Sequence, residues 1–310
     1  MSDQSNKTTA YFHLPGLFEF YEFYKVFLPV YKEHPEFFHD QCRIGSVYGA
    51  PADCIWGGGR VGYGDNDPIQ VLDLMDKYHI SARLTFSNSL LREEHLKDEK
   101  CNRLCRLFEK SASDHYVSPV RNGIIVHSDM LTRYILQNYP SLYLVSSTTK
   151  VLTNFEDLQS ELSRSEFSYV VPDFRLNRSF DRLASLSEDK KRKVEFLCNE
   201  CCYVGCTDRK ACYENVSRKA LGEDCPDHIC NAPEHEGGYM FSKAMKSPAF
   251  ISSDDIRDIY IPMGFNNFKI EGRSLGSALL LEFILYYMTK PEYQINVREM
   301  IYLDNTLDLF

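Results

Sequence analysis

Short apolar runs rich in β-branched and aromatic residues alternate along the chain with longer amphipathic stretches. Eight runs have the character of strands: Ala10–His13, Arg43–Tyr48, Ala82–Phe86, Gly123–Val126, Leu142–Val145, Tyr169–Val171, Val194–Leu197 and Phe268–Ile270. Helical periodicity is clearest in four of the stretches between them: Ile69–Tyr78, Met130–Asn138, Asn154–Arg164 and Ser274–Met288. This alternation predicts right-handed βαβ units and a parallel sheet. The number of units favours a TIM-type (β/α)8 barrel, with an open doubly wound sheet as the alternative.

One domain can accommodate this pattern. The chain has 310 residues, of which 44% are hydrophobic, and this is enough for one large core. We therefore predict a single barrel domain over residues 1–310. Residues 198–250 depart from the alternation and form an irregular, cysteine-rich insertion after the sixth or seventh strand. Loops of this length in compact domains are usually functional or held by a metal.

Composition and charge restrict the classes of function. The net charge is −9, whereas proteins that neutralise nucleic-acid phosphates carry a basic face, so nucleic acid is a disfavoured partner. The polar start, Met1–Thr9, has no signal-peptide core. The longest apolar stretch, Ala278–Met288, is too short to cross a membrane and contains Glu282. We expect a cytoplasmic protein that acts on a small molecule or a peptide, with a further protein partner left open.

The cysteines carry the strongest chemical signal. Seven of the eleven fall in one segment: Cys198, Cys201, Cys202, Cys206, Cys212, Cys225 and Cys230. An odd number of cysteines in a chain without an export signal argues against a disulfide framework. Gathered thiolates bind zinc or an iron–sulfur cluster. The segment therefore predicts a metal centre of one of these two kinds.

The spacing of these cysteines narrows the choice of chemistry. Cys198 and Cys201 have the spacing of a zinc knuckle, but no second knuckle follows, and the looser later spacings are ones that an iron–sulfur site tolerates. A radical S-adenosylmethionine motif would need cysteine at position 209, which is Arg209. A cysteine-protease arrangement stays open, with His127, His228 or His235 as the base.

Polar residues follow the ends of the predicted strands, where barrel enzymes place their chemistry. They include Ser87, Asn88, His127, Ser147, Thr148, Thr149, Asp173, Arg175, Asn177, Asn199, Glu200, Glu271 and Arg273. Polar helix caps account for some of these residues. Arg175 and Arg273 are the best candidates for binding a carboxylate or phosphate, because a guanidinium binds either group through two hydrogen bonds.

Three segments resemble one known family. They are Val194–Leu197 followed by Asn199-Glu200-x-Cys202-x3-Cys206, the block Val170–Asn177, and Phe250–Ile256 followed by Phe268-Lys269-Ile270-Glu271-Gly272-Arg273. Together they are similar to the collagenase-like family of U32 peptidases, and the resemblance spans roughly Leu142–Met288. It implies a TIM-like barrel that holds a 4Fe-4S cluster on four cysteines and supports oxygen-independent hydroxylation, beside an older assignment as a peptidase.

The resemblance also implies a set of site residues. Cys202 and Cys206 fall in the matching segment, and Cys225 and Cys230 are the remaining ligands by position, with Cys212 in reserve. The cofactor prediction is accordingly a 4Fe-4S cluster, with zinc as the lesser alternative.

The leading hypothesis is an iron–sulfur oxidoreductase that modifies a small molecule or peptide. In this hypothesis Glu200, Asp173 or Glu271 transfers a proton. Substrate binding is assigned to four further residues: Arg175, Arg273, Asn177 and Asn199. Peptide hydrolysis and a non-enzymatic role as a cluster-bearing partner subunit are the alternatives.

Overall fold

A computed structural model describes residues 9–59, 64–111, 120–233 and 238–306. Within these ranges the strands are β1 Ala10–Pro15, β2 Cys42–Gly49, β3 Ser81–Phe86, β4 Gly123–Val126, β5 Tyr143–Ser146, β6 Phe167–Val170, β7 Glu195–Leu197 and β8 Asn267–Lys269. The helices are α1 Tyr21–Glu33, α2 Pro68–Lys77, α3 Glu99–Ser111, α4 Asp129–Asn138, α5 Phe155–Leu162, α6 Phe180–Ala184, α7 Glu188–Lys193, α8 Arg209–Ala220, α9 Phe241–Ala244, α10 Ser253–Asp255, α11 Ser277–Tyr287 and α12 Gln294–Thr306.

The eight strands form one parallel sheet that nearly closes on itself. Strands β1 to β6 are neighbours in chain order, β1 also pairs with β8, and β8 pairs with β7. The remaining gap, between β6 and β7, is crossed by a parallel bridge from Val170 to Val194. The TIM-type barrel is thus confirmed. The open doubly wound alternative is wrong, because such a sheet reverses its strand order and keeps two open edges.

Alternation along the strands separates two apolar clusters. Outward residues such as Phe12, Leu84 and Val126 join the large core beneath the helices. A smaller cluster lies inside the barrel and consists of Tyr48, Ile125, Val145, Val171 and Leu197. Successive side chains of a strand point to opposite faces, so this division follows from the strand period.

The insertion is more ordered than its sequence predicts. It contains α8, a helix of twelve residues whose buried side chains are those of Arg209, Tyr213 and Ser217. These residues are four apart and lie on one face of the helix. Because two of them are polar, the sequence lacks the apolar stripe from which a helix is predicted. The expectation of an irregular section is wrong for this helix.

The helices of the described part include none that is both long and apolar enough to span a membrane.

Candidate active site at the barrel mouth

The carboxyl ends of the strands surround an open cleft. Its lining comes from the ends or following loops of β2, β3, β4, β5, β7 and β8, together with one residue of α8: Tyr48, Gly58, Gly59, Thr85, Ser87, Ile125, Ser147, Thr148, Thr149, Leu197, Tyr213, Lys269, Glu271, Gly272, Arg273 and Ser274. This is the face on which TIM barrels carry their active sites. We take the cleft, called the mouth cleft below, as the candidate active site.

Lys269 forms part of the wall of the mouth cleft and is only 5% exposed. Its Nζ lies 3.3 Å from Glu195 Oε1 and 3.4 Å from the centroid of the Tyr48 ring. Burial lowers the pKa of Lys269 to about 8; Glu195 opposes this shift and Arg83 adds to it. Lys269 can therefore exchange a proton near neutral pH.

A buried charge network continues below Lys269 inside the barrel. Arg83 Nη1 lies 2.6 Å from Glu195 Oε2, and His13 Nε2 lies 3.5 Å from the same oxygen. Burial would raise the pKa of Glu195, but Arg83, His13 and Lys269 hold it well below its usual range. Burial, reinforced by Arg83, lowers the pKa of His13 to about 3. Glu195 is accordingly the anion that balances the two buried cations.

Arg273 lines the same cleft and is 6% exposed. Its Nε lies 2.7 Å from Glu19 Oε1, and its Nη2 donates to the carbonyl of Ala50 at 3.3 Å. The fully buried carboxylate of Glu19 fixes the guanidinium in place. The predicted substrate-binding residue Arg273 therefore lies at the mouth cleft.

Two of the three predicted proton-transfer residues lie together. Glu200, Cys201 and Glu271 offer ligand atoms within 4.8 Å of one another, and the Cys201 thiol lies 3.8 Å from Glu271 Oε1. The Glu200 carboxylate accepts from the amide of Cys202 at 2.9 Å and pairs with Arg209 at 2.6 Å. Of these residues, Glu271 lines the mouth cleft.

Asp173 and Arg175 form a separate pair. The fully buried carboxylate of Asp173 accepts from Arg175 Nε at 2.6 Å and from Arg175 Nη2 at 3.0 Å. Arg175 Nη1 donates to the carbonyl of Cys206 at 2.8 Å. These contacts place the pair beside the cysteine segment, where it orients the loop after β7.

The two predicted asparagines link loops at the ends of β7 and β8. Asn177 Nδ2 donates to the carbonyls of Leu197 and Ala249, each at 2.9 Å. Asn199 exchanges two hydrogen bonds with the backbone of Glu271, at 2.8 and 3.1 Å. Neither side chain is exposed, so in this arrangement both of them hold the loops together.

The predicted metal ligands lie around α8. Cys202 and Cys206 precede the helix, and both are partly exposed. On the helix itself, Asn215 donates to the Cys225 sulfur at 3.7 Å and to the following carbonyl at 2.8 Å. Asn231 donates to Asp208 at 2.8 Å, immediately before the helix. The segment from Cys225 to Asn231 thus runs back along α8 toward Cys206, and Cys230 lies on this segment.

The four predicted cysteine ligands can be compared with the requirements of a zinc site and of an iron–sulfur cluster. Four thiolates on zinc would lie about 3.8 Å apart, because each Zn–S bond is about 2.3 Å. In the described part of the chain, the only group of three ligands within 4.8 Å contains one cysteine, Cys201. Cluster thiolates bind different irons and are spaced more widely. Thiolates are the donor type that both centres use, so the four predicted cysteines suit either one in kind; among the described residues no three of them lie as close together as a preformed zinc site requires.

Cys198 differs from the other cysteines of the segment. It is fully buried, and its thiol donates to the carbonyl of Phe196 at 3.5 Å. Burial raises its pKa well above the usual range, which keeps it a neutral thiol. We assign it to the core.

The three histidines proposed as the base of a cysteine protease are His127, His228 and His235. His127 Nδ1 lies 2.9 Å from the Thr149 hydroxyl, and burial lowers the pKa of His127 to about 4, so the ring is neutral at physiological pH. The amide of His228 donates to Asn215 at 3.3 Å. His235 lies outside the described residues.

Sequence reasoning missed Lys269 in the cleft wall and the two buried charges that it is coupled to. Arg83, Glu195 and Lys269 each place a charge inside a run that otherwise predicts a buried strand. A charged residue at that position indicates a polar barrel interior, because buried charges need partners. Their mutual pairing could not be predicted, since 112 residues separate Arg83 from Glu195.

Comparison with known proteins identifies a similar fold but no relative by sequence. No family model matches the chain, and no curated protein matches its sequence. Among solved structures, "The Structure of the U32 Peptidase Mk0906" is similar, with a TM-score of 0.50 over 86% of this chain and 93% of that one. The chain has the fold of a U32 peptidase. Sequence identity is 12%, so the resemblance noted in the sequence is confirmed at the level of fold.

Proposed function

We propose that this protein is a divergent U32-type enzyme that modifies a small molecule or peptide at the mouth cleft by redox chemistry, of the oxygen-independent hydroxylation type. The observation that carries the proposal is the position of the cysteine segment. It begins directly after β7, and its Cys201 thiol lies 3.8 Å from Glu271, a residue of the cleft wall.

Cys202, Cys206, Cys225 and Cys230 would hold a 4Fe-4S cluster beside the cleft. When bound, the cluster supplies electron transfer or Lewis acidity. Arg175 and Asp173 support the site indirectly, because Arg175 holds the carbonyl of Cys206 at 2.8 Å and is itself fixed by Asp173. These two residues orient the metal-binding loop in the proposed enzyme.

Glu271 is our proton-transfer residue. Glu271 lines the cleft, whereas Glu200 is committed to Arg209 and to the amide of Cys202. Lys269 forms part of the same wall, and its pKa near 8 permits it to give or take a second proton. Arg273 binds an anionic group of the substrate, as the sequence predicts.

The test is anaerobic purification followed by iron and sulfide assays and a visible absorbance spectrum. We expect a broad visible band and about four irons per chain. Cys202→Ser and Cys206→Ser should each lose the iron, while Cys105→Ser, which alters a buried cysteine of α3, should retain it. Unchanged iron in both loop variants, or colourless zinc-bearing wild-type protein, contradicts the assignment.

Peptide hydrolysis is a second candidate, supported by the fold shared with a structure named as a U32 peptidase. It predicts that protein freed of iron cleaves peptides. Cleavage that survives chelation and is lost in Glu271→Gln would favour hydrolysis over redox chemistry.

A further inference from the structure

Three hydroxyl groups at the mouth cleft have no hydrogen-bond partner among the described residues. They are Thr85 Oγ1, Ser87 Oγ and Thr148 Oγ1, and all three residues line the cleft. Thr85 is 7% exposed and Ser87 is 1% exposed. Buried polar groups are nearly always hydrogen-bonded, so three unsatisfied hydroxyls in one cleft require an explanation.

Neighbouring hydroxyls of the same cleft are satisfied. Thr149 Oγ1 donates to Ser147 Oγ at 2.9 Å, and His127 Nδ1 lies 2.9 Å from Thr149 Oγ1. The amide of Thr149 also donates to Ser147 Oγ at 3.2 Å. The lack of partners is therefore specific to three side chains and is not a general property of this rim.

The unsatisfied hydroxyls share the cleft with two cations. Lys269 and Arg273 are each held by a buried carboxylate, Glu195 and Glu19 respectively, so their positions are fixed before any ligand binds. The Arg273 guanidinium donates through its Nε and Nη2, and a guanidinium has five N–H donors. Donors are thus available from both the neutral and the charged side chains.

Gly58 and Gly59, which follow β2, line this part of the cleft. A Cβ on Gly58 would lie 2.5 Å from the backbone carbon of Ser87, so glycine allows the loop to pack directly on the end of β3. Gly59 has a φ of +75°, and its ideal Cβ position lies 3.8 Å from Ser87 Oγ. These two glycines therefore bring the backbone after β2 close to Ser87, one of the three hydroxyl-bearing residues.

We infer that Thr85, Ser87 and Thr148, together with Lys269 and Arg273, form a subsite for a carboxylate or phosphate group of the substrate. An oxyanion offers several acceptor atoms, and these five side chains offer hydroxyl, ammonium and guanidinium donors. Hydrogen bonds to a charged oxygen are stronger than those between neutral groups, which suits hydroxyls that the protein leaves unsatisfied.

This inference rests on the proposed function only for the choice of the mouth cleft as the substrate site. It does not depend on the cluster. Binding is therefore measured on wild-type protein both as purified under anaerobic conditions and after removal of iron by a chelator. Anion binding that persists after the iron is removed would show that the anion subsite does not depend on the proposed cluster.

The experiment titrates the protein with inorganic phosphate and, separately, with sodium acetate, against sodium chloride at matched ionic strength. Calorimetry gives the dissociation constant, and the preferred anion identifies the group that the subsite takes. We expect saturable binding of one of the two anions. Ser87→Ala and Thr85→Val should each weaken this binding at least about tenfold, the usual effect of losing a hydrogen bond to a charged group.

Thr289→Val is the matched control, because Thr289 is a buried threonine whose hydroxyl donates to the carbonyl of Ile284 and which does not line the mouth cleft. It should leave the anion dissociation constant unchanged. Without anion, Thr85→Val should not lower the midpoint of thermal unfolding, because its hydroxyl has no partner to lose.

Two results would overturn the inference. One is no saturable binding of either anion beyond the chloride control. The other is a Thr85→Val protein that unfolds at a lower temperature and binds the anion with wild-type affinity, since that would show a hydroxyl satisfied by ordered water and unused by ligand.

Discussion

Glu195 is fully buried and pairs with two buried cations, Arg83 and Lys269. Removing one partner of a buried ion pair leaves an uncompensated charge, which is costly in a medium of low polarity. The same geometry keeps Lys269 in the cleft wall. We therefore expect Glu195 to contribute both to the stability of the barrel and to the protonation of Lys269.

We predict that Glu195→Gln lowers the free energy of unfolding by about 3–5 kcal/mol, because Arg83 and Lys269 lose their shared anion. Urea denaturation followed by circular dichroism measures this change. Glu282→Gln is the control, since Glu282 pairs with Arg298 at 3.0 Å on the surface and should cost less than about 1 kcal/mol. Equal effects of the two substitutions would refute the assignment.

His13 gives the barrel a pH dependence whose sign can be worked out. Its pKa is lowered from 6.5 to about 3, so between these values the unfolded chain binds a proton that the folded chain does not. Stability therefore rises with pH across this window and falls on acidification. His127, with a pKa of about 4, acts in the same direction.

We predict that the free energy of unfolding falls between pH 6.5 and pH 5, and that His13→Gln reduces this slope by up to about 1.4 kcal/mol per pH unit. Glutamine retains an amide that can bond with Ser46 and Asn267, the present partners of the ring. Urea titrations at several pH values measure the slope. A slope unchanged in His13→Gln would mean that His13 is protonated in the folded protein.

At the scale of elements, Asn177 joins both ends of the cysteine insertion to the barrel. Asn177 binds the carbonyl at the end of β7 and the carbonyl of Ala249, where the insertion returns. Its own carbonyl accepts from Tyr260 at 2.7 Å. Asn177 thus fixes both ends of the insertion to the loop after β6.

We predict that Asn177→Ala lowers the free energy of unfolding by about 2 kcal/mol, because two buried carbonyls lose their donor. It should also speed limited proteolysis between Cys198 and Ala249. Asn138→Ala is the control: its amide donates to Tyr134 at an exposed position, and its loss should cost less than about 0.5 kcal/mol. Proteolysis unchanged from the wild type would count against this role.

The strands were predictable because each one alternates or concentrates apolar residues between turns. All eight strand-like runs of the sequence overlap observed strands, and Gly123–Val126 coincides with β4. α8 was missed because its inward face carries Arg209 and Ser217.

Arg273 and Glu271 were found at the mouth because barrel chemistry follows strand ends. Thr85 and Lys269 were missed because they lie within strands, where sequence alone does not show which face is inside.

At the scale of the whole molecule, the closure of the barrel is uneven. Strands β1 and β2 pair along six residues, whereas β6 and β7 meet through the bridge between Val170 and Val194. The segment that leaves β7 also carries the cysteines, so the least-paired part of the barrel lies beside the proposed metal centre. We call the contact between β6 and β7 the seam. Because it has few ladder hydrogen bonds, the backbone amides there are more easily exposed to solvent.

We predict that amide hydrogen exchange is faster in β6 and β7 than in β2 and β3, because the seam has one bridge where the other strand pairs have ladders. Exchange followed by mass spectrometry of peptides from Phe167–Val170 and Glu195–Leu197 measures this difference, with peptides from Cys42–Gly49 as the internal reference. If a cluster binds the segment after β7, loading the protein with iron should slow exchange in β7 and leave the reference peptides unchanged. Equal protection of all four strands in the iron-free protein would mean that side-chain packing inside the barrel, between Val171 and Leu197, closes the seam as firmly as a ladder does.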